Sequence, residues 1–151
     1  PKANGIAGRP AGVPFQITLP NAGDCYQFQS VQLGDLSGTT VKSISSGGGG
    51  CKPVAVFAGS TWSTLDCAGA SGGDNLYQQL FPNRSWGKQF VTAPFRNRPS
   101  DIYRVYVQDP TTVVTYTENG ITNTFGTGQF NTNGRFYQYK TANPLFISGD
   151  K

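Results

Sequence analysis

The stretch Thr112-Thr-Val-Val-Thr-Tyr-Thr-Glu-Asn-Gly-Ile-Thr-Asn-Thr-Phe125 decides the fold class. Residues 112–117 and 121–125 are rich in β-branched and aromatic side chains, which suit a pleated, half-buried surface. Asn119 and Gly120 stand between the two runs. Both central positions of a type I′ turn need positive φ, which Asn and Gly adopt most readily, so the stretch reads as an antiparallel hairpin.

Working outward, strand signals recur on both sides. Residues 135–140 and 145–148 continue the series downstream; residues 89–93 and 102–108 precede it. Further upstream, residues 54–58 form a continuous apolar run between Pro53 and Gly59, the pattern of a central strand buried on both faces. Residues 39–44 are β-branched and strand-like. Phe15, Ile17 and Leu19 alternate with Gln16 and Thr18, and after a turn at residues 20–23 Tyr26 and Phe28 alternate with Gln27 and Gln29, a second hairpin candidate. Residues 74–81 are the one place where a helical turn is expected. No stretch holds a helical period, so the chain reads as all-β.

The first fourteen residues are rich in Pro and Gly and read as an irregular lead-in, leaving 15–151 as the β domain. Residues 21–28 and 132–139 align without gaps, placing Gly23 on Gly134 and Tyr26-Gln27-Phe28 on Tyr137-Gln138-Tyr139. We read them as two copies of one β unit, the second interrupted at Lys151, so the β domain is expected to be incomplete at its C-terminus. The absence of Met fits a processed or excised piece. An antiparallel β-sandwich of repeated units is the simplest way for about ten strands to share a core; a partial propeller-like stack of sheets is the alternative.

Composition narrows the function classes. Hydrophobic residues make up 36% of the chain, enough for a core, and the 13% charged fraction is about half that of an ordinary soluble domain. A polar, weakly charged surface of this kind is common in extracellular β proteins. The net charge is +4, but the cations are spread thinly, with one cluster of Arg84, Lys88, Arg96, Arg98 and Arg104. That patch suits weak attraction to acidic glycans or anionic surfaces better than tracking a phosphate backbone, so no nucleic-acid partner is expected. No apolar run is long enough to span a bilayer, and membrane insertion is not expected.

Cys25, Cys51 and Cys67 form no metal-binding or redox spacing and point to an oxidising compartment. A Cys51–Cys67 disulfide is favoured, because the two bracket one strand and its loop; three reduced, buried thiols are the alternative. The chain has no His, which leaves general acid-base and nucleophilic chemistry without its commonest base. Asp66 and Asp74 are weak candidates for a calcium site or a carboxylate pair, against the simpler reading of local turn hydrogen bonds. No catalytic residue, resident metal or cofactor is expected.

Residues 74–95 stand out, combining Tyr77, Phe81, Trp86, Phe90 and Phe95 with Arg84, Lys88 and, just beyond, Arg96 and Arg98. Exposed, such a surface is a partner hot spot. Buried, Trp86 and Phe90 would instead be the plug that packs this connection onto the sheet, the reading favoured for those two. Trp62 suits either role. Asn83-Arg84-Ser85 is a glycosylation sequon, meaningful in a eukaryotic host.

Four segments, taken together, carry a resemblance: Lys52-Pro-Val-Ala-Val-Phe-Ala-Gly-Ser60, Asp74-Asn-Leu-Tyr-Gln-Gln-Leu80, Trp86-Gly-Lys-Gln-Phe-Val-Thr-Ala-Pro-Phe95, and Asp101-Ile-Tyr-Arg-Val105 followed by Thr111-Thr-Val-Val114. In order and spacing they resemble the N-terminal domain of IgGFc-binding proteins, which occurs in animal mucus proteins and bacterial surface proteins, and are most similar to the Bacteroidota members. The resemblance covers about residues 35 to 151. It implies a secreted, cell-surface, non-enzymatic binding or adhesion module within a larger protein, whose partner is a protein or glycan on a surface. Trp62, Tyr77, Arg84, Trp86, Lys88, Arg96 and Arg98 are the candidate contact residues. A structural subunit of an extracellular filament or matrix, completed by neighbouring copies of its parent protein, is the alternative.

Overall fold

The computed structural model describes residues 8–31, 34–44, 49–50, 52–64, 72–125, 129–130 and 136–151, together with the backbone of residues 2–3. It divides into two compact units, Pro1–Thr39 and Thr40–Lys151. The described residues hold ten strands, all in antiparallel pairs, and no α-helix.

In the first unit β1 (Lys2–Ala3) pairs with β2 (Phe28–Gln29), Ala3 opposite Phe28. The turn expected after Pro20 is present: Asp24 N–H donates to the Asn21 carbonyl at 3.3 Å, and Gly23 sits at φ 91°. The hairpin expected around it is absent. Residues 13–20 form no strand, and Phe15, Ile17 and Leu19 are exposed. Pro14 and Pro20 bracket that run and donate no backbone hydrogen bond at either end, and Phe28 and Gln29 pair with β1 instead.

The second unit carries the core. Its strands are β3 (Phe57–Ser63), β4 (Asp74–Gln79), β5 (Gln89–Thr92), β6 (Asp101–Tyr106), β7 (Val114–Glu118), β8 (Ile121–Phe125), β9 (Phe136–Thr141) and β10 (Leu145–Gly149). A four-stranded sheet runs in the order β5-β10-β7-β8, and β6 pairs with β9 as a two-stranded ribbon. The hairpin read from the sequence is β7–β8, with Asn119 at φ 51° and Gly120 at φ 79°.

Period-2 alternation decides which side chains meet. Val114 and Tyr116 of β7, Phe125 of β8, and Leu145 and Ile147 of β10 share one face of the four-stranded sheet. Tyr103 and Val105 of β6 with Tyr137 and Tyr139 of β9 share the ribbon face that packs against it. Rings join the layers: Phe125 stacks on Tyr137 at 4.6 Å, and Tyr116 meets Tyr139 at 5.1 Å. The result is a small β-sandwich, closed by Val107 and Phe130. Phe125 is 2% exposed and touches three other rings, so it is the aromatic centre of the core.

Three local expectations are corrected. The apolar run 54–58 is not a central strand: β3 begins only at Phe57, pairs with β4 alone, and is exposed from Phe57 through Trp62. An apolar run signals burial, but no second layer of described strands covers this hairpin. Residues 74–79 form β4 rather than a helical turn, paired along β3 from Ser63 opposite Asp74 to Phe57 opposite Gln79. The helical turn comes later as a 3-10 turn, Asn83–Ser85, led by Pro82 with φ −65°. Residues 41–44 are without strand pairing, and Val41 and Ile44 are exposed.

Cys51, Cys67 and Asp66 lie outside the described residues, as do 132–135 of the second repeat copy. Where the copies can be compared they differ: Tyr137–Tyr139 lies within β9, whereas of 26–28 only Phe28 belongs to a strand.

Candidate partner-binding surface

The β3–β4 hairpin builds its surface from two glycines. Gly59 lies directly opposite Tyr77, and a Cβ there would come within 2.2 Å of the Leu76 carbonyl oxygen, so only glycine permits this approach. With no side chain facing it, the Tyr77 ring leans diagonally onto Phe57, stacked at 5.5 Å and 7°. Tyr77 remains 74% exposed. Farther along, a Cβ on Gly73 would come within 2.7 Å of the Trp62 indole. Trp62 is thus seated on Gly73 at a bulged end of the hairpin and is still 66% exposed.

The connection to β5 carries the next group. Arg84 lies exposed in the 3-10 turn, whose N–H groups at Ser85 and Trp86 donate to the Pro82 and Asn83 carbonyls at 2.8 and 3.0 Å. Trp86 is 43% exposed and Phe90 52%, so neither is the buried plug favoured from sequence. Phe90 shares a face with Ile147, but β5 is the edge strand, and ring area at an edge stays in water. Lys88 is tied to the end of β10: its Nζ donates to the Asp150 carbonyl at 3.3 Å, and its own carbonyl accepts from Gly149 N–H at 2.8 Å.

Arg96 and Arg98 belong to the loop between β5 and β6, where Arg96 is exposed and the Arg98 guanidinium lies 5.6 Å from the exposed Phe95 ring. Asp101 Oδ2 accepts from Phe95 N–H at 2.6 Å and fixes the loop. The sequence candidates therefore form three exposed groups: Trp62 and Tyr77 on the hairpin; Arg84, Trp86 and Lys88 on the connection; Arg96 and Arg98 on the loop. Phe57 and Phe81 belong with the first two, and Phe57 was hidden inside the run read as a buried strand.

Asp74 is exposed at the start of β4, where its Oδ1 accepts from Asn75 N–H at 2.7 Å, a local bond of the kind Asp makes in loops. Cys25 is a free, exposed thiol. Among the described residues no three His, Cys, Asp or Glu side chains converge as a metal site.

Exposed rings and cations thus occur on the hairpin, on the connection and on the loop. The sequence matches the family described as IgGFc binding protein across residues 1–151. The chain belongs to the IgGFc-binding family. No curated protein and no solved structure matches it. IgGFc-binding proteins form a binding-type family rather than one known for catalysis, and the chain is accordingly an extracellular type of binding module. No helix among its described residues is long and apolar enough to cross a membrane.

Proposed function

We propose that this chain is the adhesion module of a large secreted cell-surface protein of the Bacteroidota type, and that it holds a protein partner on the exposed aromatics of β3–β4 and the connection to β5. Trp62, Tyr77 and Trp86 are the anchors; Arg84, Lys88, Arg96 and Arg98 form the rim. The observation that carries the reading is the seating of Trp62 on Gly73 while most of the indole faces solvent. A rigid, solvent-facing aromatic loses little conformational freedom on binding, which is why Trp and Tyr dominate interface hot spots. The family supports the class of activity.

Immobilised chain presented with immunoglobulin Fc and with purified mucus glycoprotein tests it. Saturable binding of either supports the proposal; binding of neither across the micromolar range overturns it. A second reading, a subunit of an extracellular filament, is favoured by the open edges at β5 and β8, each of which has one partner in the four-stranded sheet. Light scattering across a concentration series decides it: growth of mass with concentration supports the filament, and a constant monomer excludes it.

A further inference from the structure

The β6–β9 ribbon has a second face, turned away from the core. The register places Ile102, Arg104 and Tyr106 of β6 and Phe136, Gln138 and Lys140 of β9 on it, alternating with the inward residues. Arg104, Tyr106, Gln138 and Lys140 are exposed. None of the six positions carries an acid.

The cation at its centre is held in place. Arg104 lies directly across from Gln138, and its Nε donates to Gln138 Oε1 at 3.0 Å. Its guanidinium lies 4.8 Å from the Phe136 ring centroid. Lys140 is its diagonal neighbour across the ribbon, and Tyr106 with Phe136 forms an aromatic pair at 5.4 Å beside it. A fixed guanidinium, an ammonium, a side-chain amide and exposed aromatic area thus occupy one continuous strip. Sulfate and carboxylate groups suit the cations, hydroxyls suit the amide, and the apolar face of a sugar ring suits the aromatic pair.

We infer that this outward face binds an acidic polysaccharide, sulfated or uronate-bearing, independently of the protein-binding surface proposed above. Charge complementarity selects this occupant. The bases of a duplex are stacked on one another and leave no free ring face for the Tyr106–Phe136 pair, whereas a sugar ring offers one. A lysine in the strip also argues against a buried protein interface, where Lys is depleted.

The test uses the full chain with dextran sulfate, polygalacturonate, neutral dextran and a DNA duplex of similar length as probes. The intact chain is expected to bind one or both acidic polysaccharides with salt-dependent affinity, and neutral dextran and the duplex at least about tenfold more weakly. The double variant Arg104→Gln/Lys140→Gln is expected to weaken polysaccharide binding at least about tenfold, the loss of two charge-assisted contacts. Lys42→Gln/Lys52→Gln removes the same charge elsewhere and is expected to stay within about twofold of the intact chain. Matched melting curves for all three show that each is folded. Equal weakening by both double variants would overturn the proposal by reducing it to net charge. Duplex binding as tight as polysaccharide binding, undiminished binding by Arg104→Gln/Lys140→Gln, or no binding of either acidic polysaccharide would overturn it too. Fc capture by Arg104→Gln/Lys140→Gln at the intact chain's level keeps the two surfaces distinct.

Discussion

The Tyr139 hydroxyl of β9 donates to the Glu118 carboxylate of β7 at 2.5 Å, a polar bond between the two layers beside the ring contact of Tyr116 with Tyr139. Thr141 Oγ1 and Asn143 Nδ2 donate to the other carboxylate oxygen, Asn143 at 3.0 Å. Glu118 therefore accepts from three side chains on β9 and the turn that follows it.

Those three donors, Thr141 first, hold the Glu118 carboxyl below the ordinary glutamate value. A depressed folded-state value means that the unfolded chain takes up its proton first. The stabilisation is then complete above about pH 4.3 and is lost as pH falls through the lower folded value. Asp109, lowered by the Thr111 N–H and hydroxyl, acts in the same direction. Melting midpoints measured by circular dichroism are expected to hold level from neutral pH to about 5 and to fall below about 4. Glu118→Gln is expected to start lower and to lose less over the acid range. An acid limb unchanged by Glu118→Gln would contradict the role given to the carboxylate.

The same bond pushes the Tyr139 phenol well above its usual range, chiefly through donation to Glu118. A raised folded value gives stability that is present below the unfolded phenol value near pH 10 and is lost as pH rises through the folded one. Ultraviolet titration should show one tyrosine of the folded chain ionising after the others, and Tyr139→Phe should remove that late step.

Phe125 makes ring contacts with Tyr116, Phe130 and Tyr137 in the buried core. Phe125→Ala is expected to cost about 3–5 kcal/mol in urea unfolding, and Phe125→Leu clearly less, because Leu refills part of the void.

The chain has two tryptophans, Trp62, 66% exposed, and Trp86, 43% exposed. Native fluorescence is expected at the long wavelengths of hydrated indole and with acrylamide quenching close to that of the unfolded chain. A blue-shifted, poorly quenched spectrum would show that one of them is a core plug after all.

The sandwich was legible because its strands satisfy two conditions at once: alternating side chains, and turns whose residues enforce pairing. Asn119 and Gly120 take the left-handed conformations their types allow, and β5 through β10 begin and end within about two residues of the segments read from sequence. Alternation alone proved insufficient at Phe15, Ile17 and Leu19, where prolines flank the run and no partner strand is supplied. Composition alone failed at residues 54–58, since apolar content reports a wish for burial and not the presence of a covering layer. The exposed rings of Trp86 and Phe90 were misjudged for the same reason: whether a large aromatic is core or contact depends on the edge position of β5, which no single segment encodes. The outward face of β6–β9 was invisible because Arg104, Gln138 and Lys140 come together only through the register of strands more than thirty residues apart in sequence.

The central claim is that exposed, seated aromatics on β3–β4 are the binding anchors. Affinity of Trp62→Ala/Tyr77→Ala for whichever probe the intact chain captures, Fc or mucus glycoprotein, measures it most directly, with melting curves run alongside. Neither residue belongs to the core cluster, so the midpoint is expected to stay close to that of the intact chain while binding weakens by about 2 kcal/mol or more, roughly thirtyfold. Undiminished affinity in a folded variant would contradict the account.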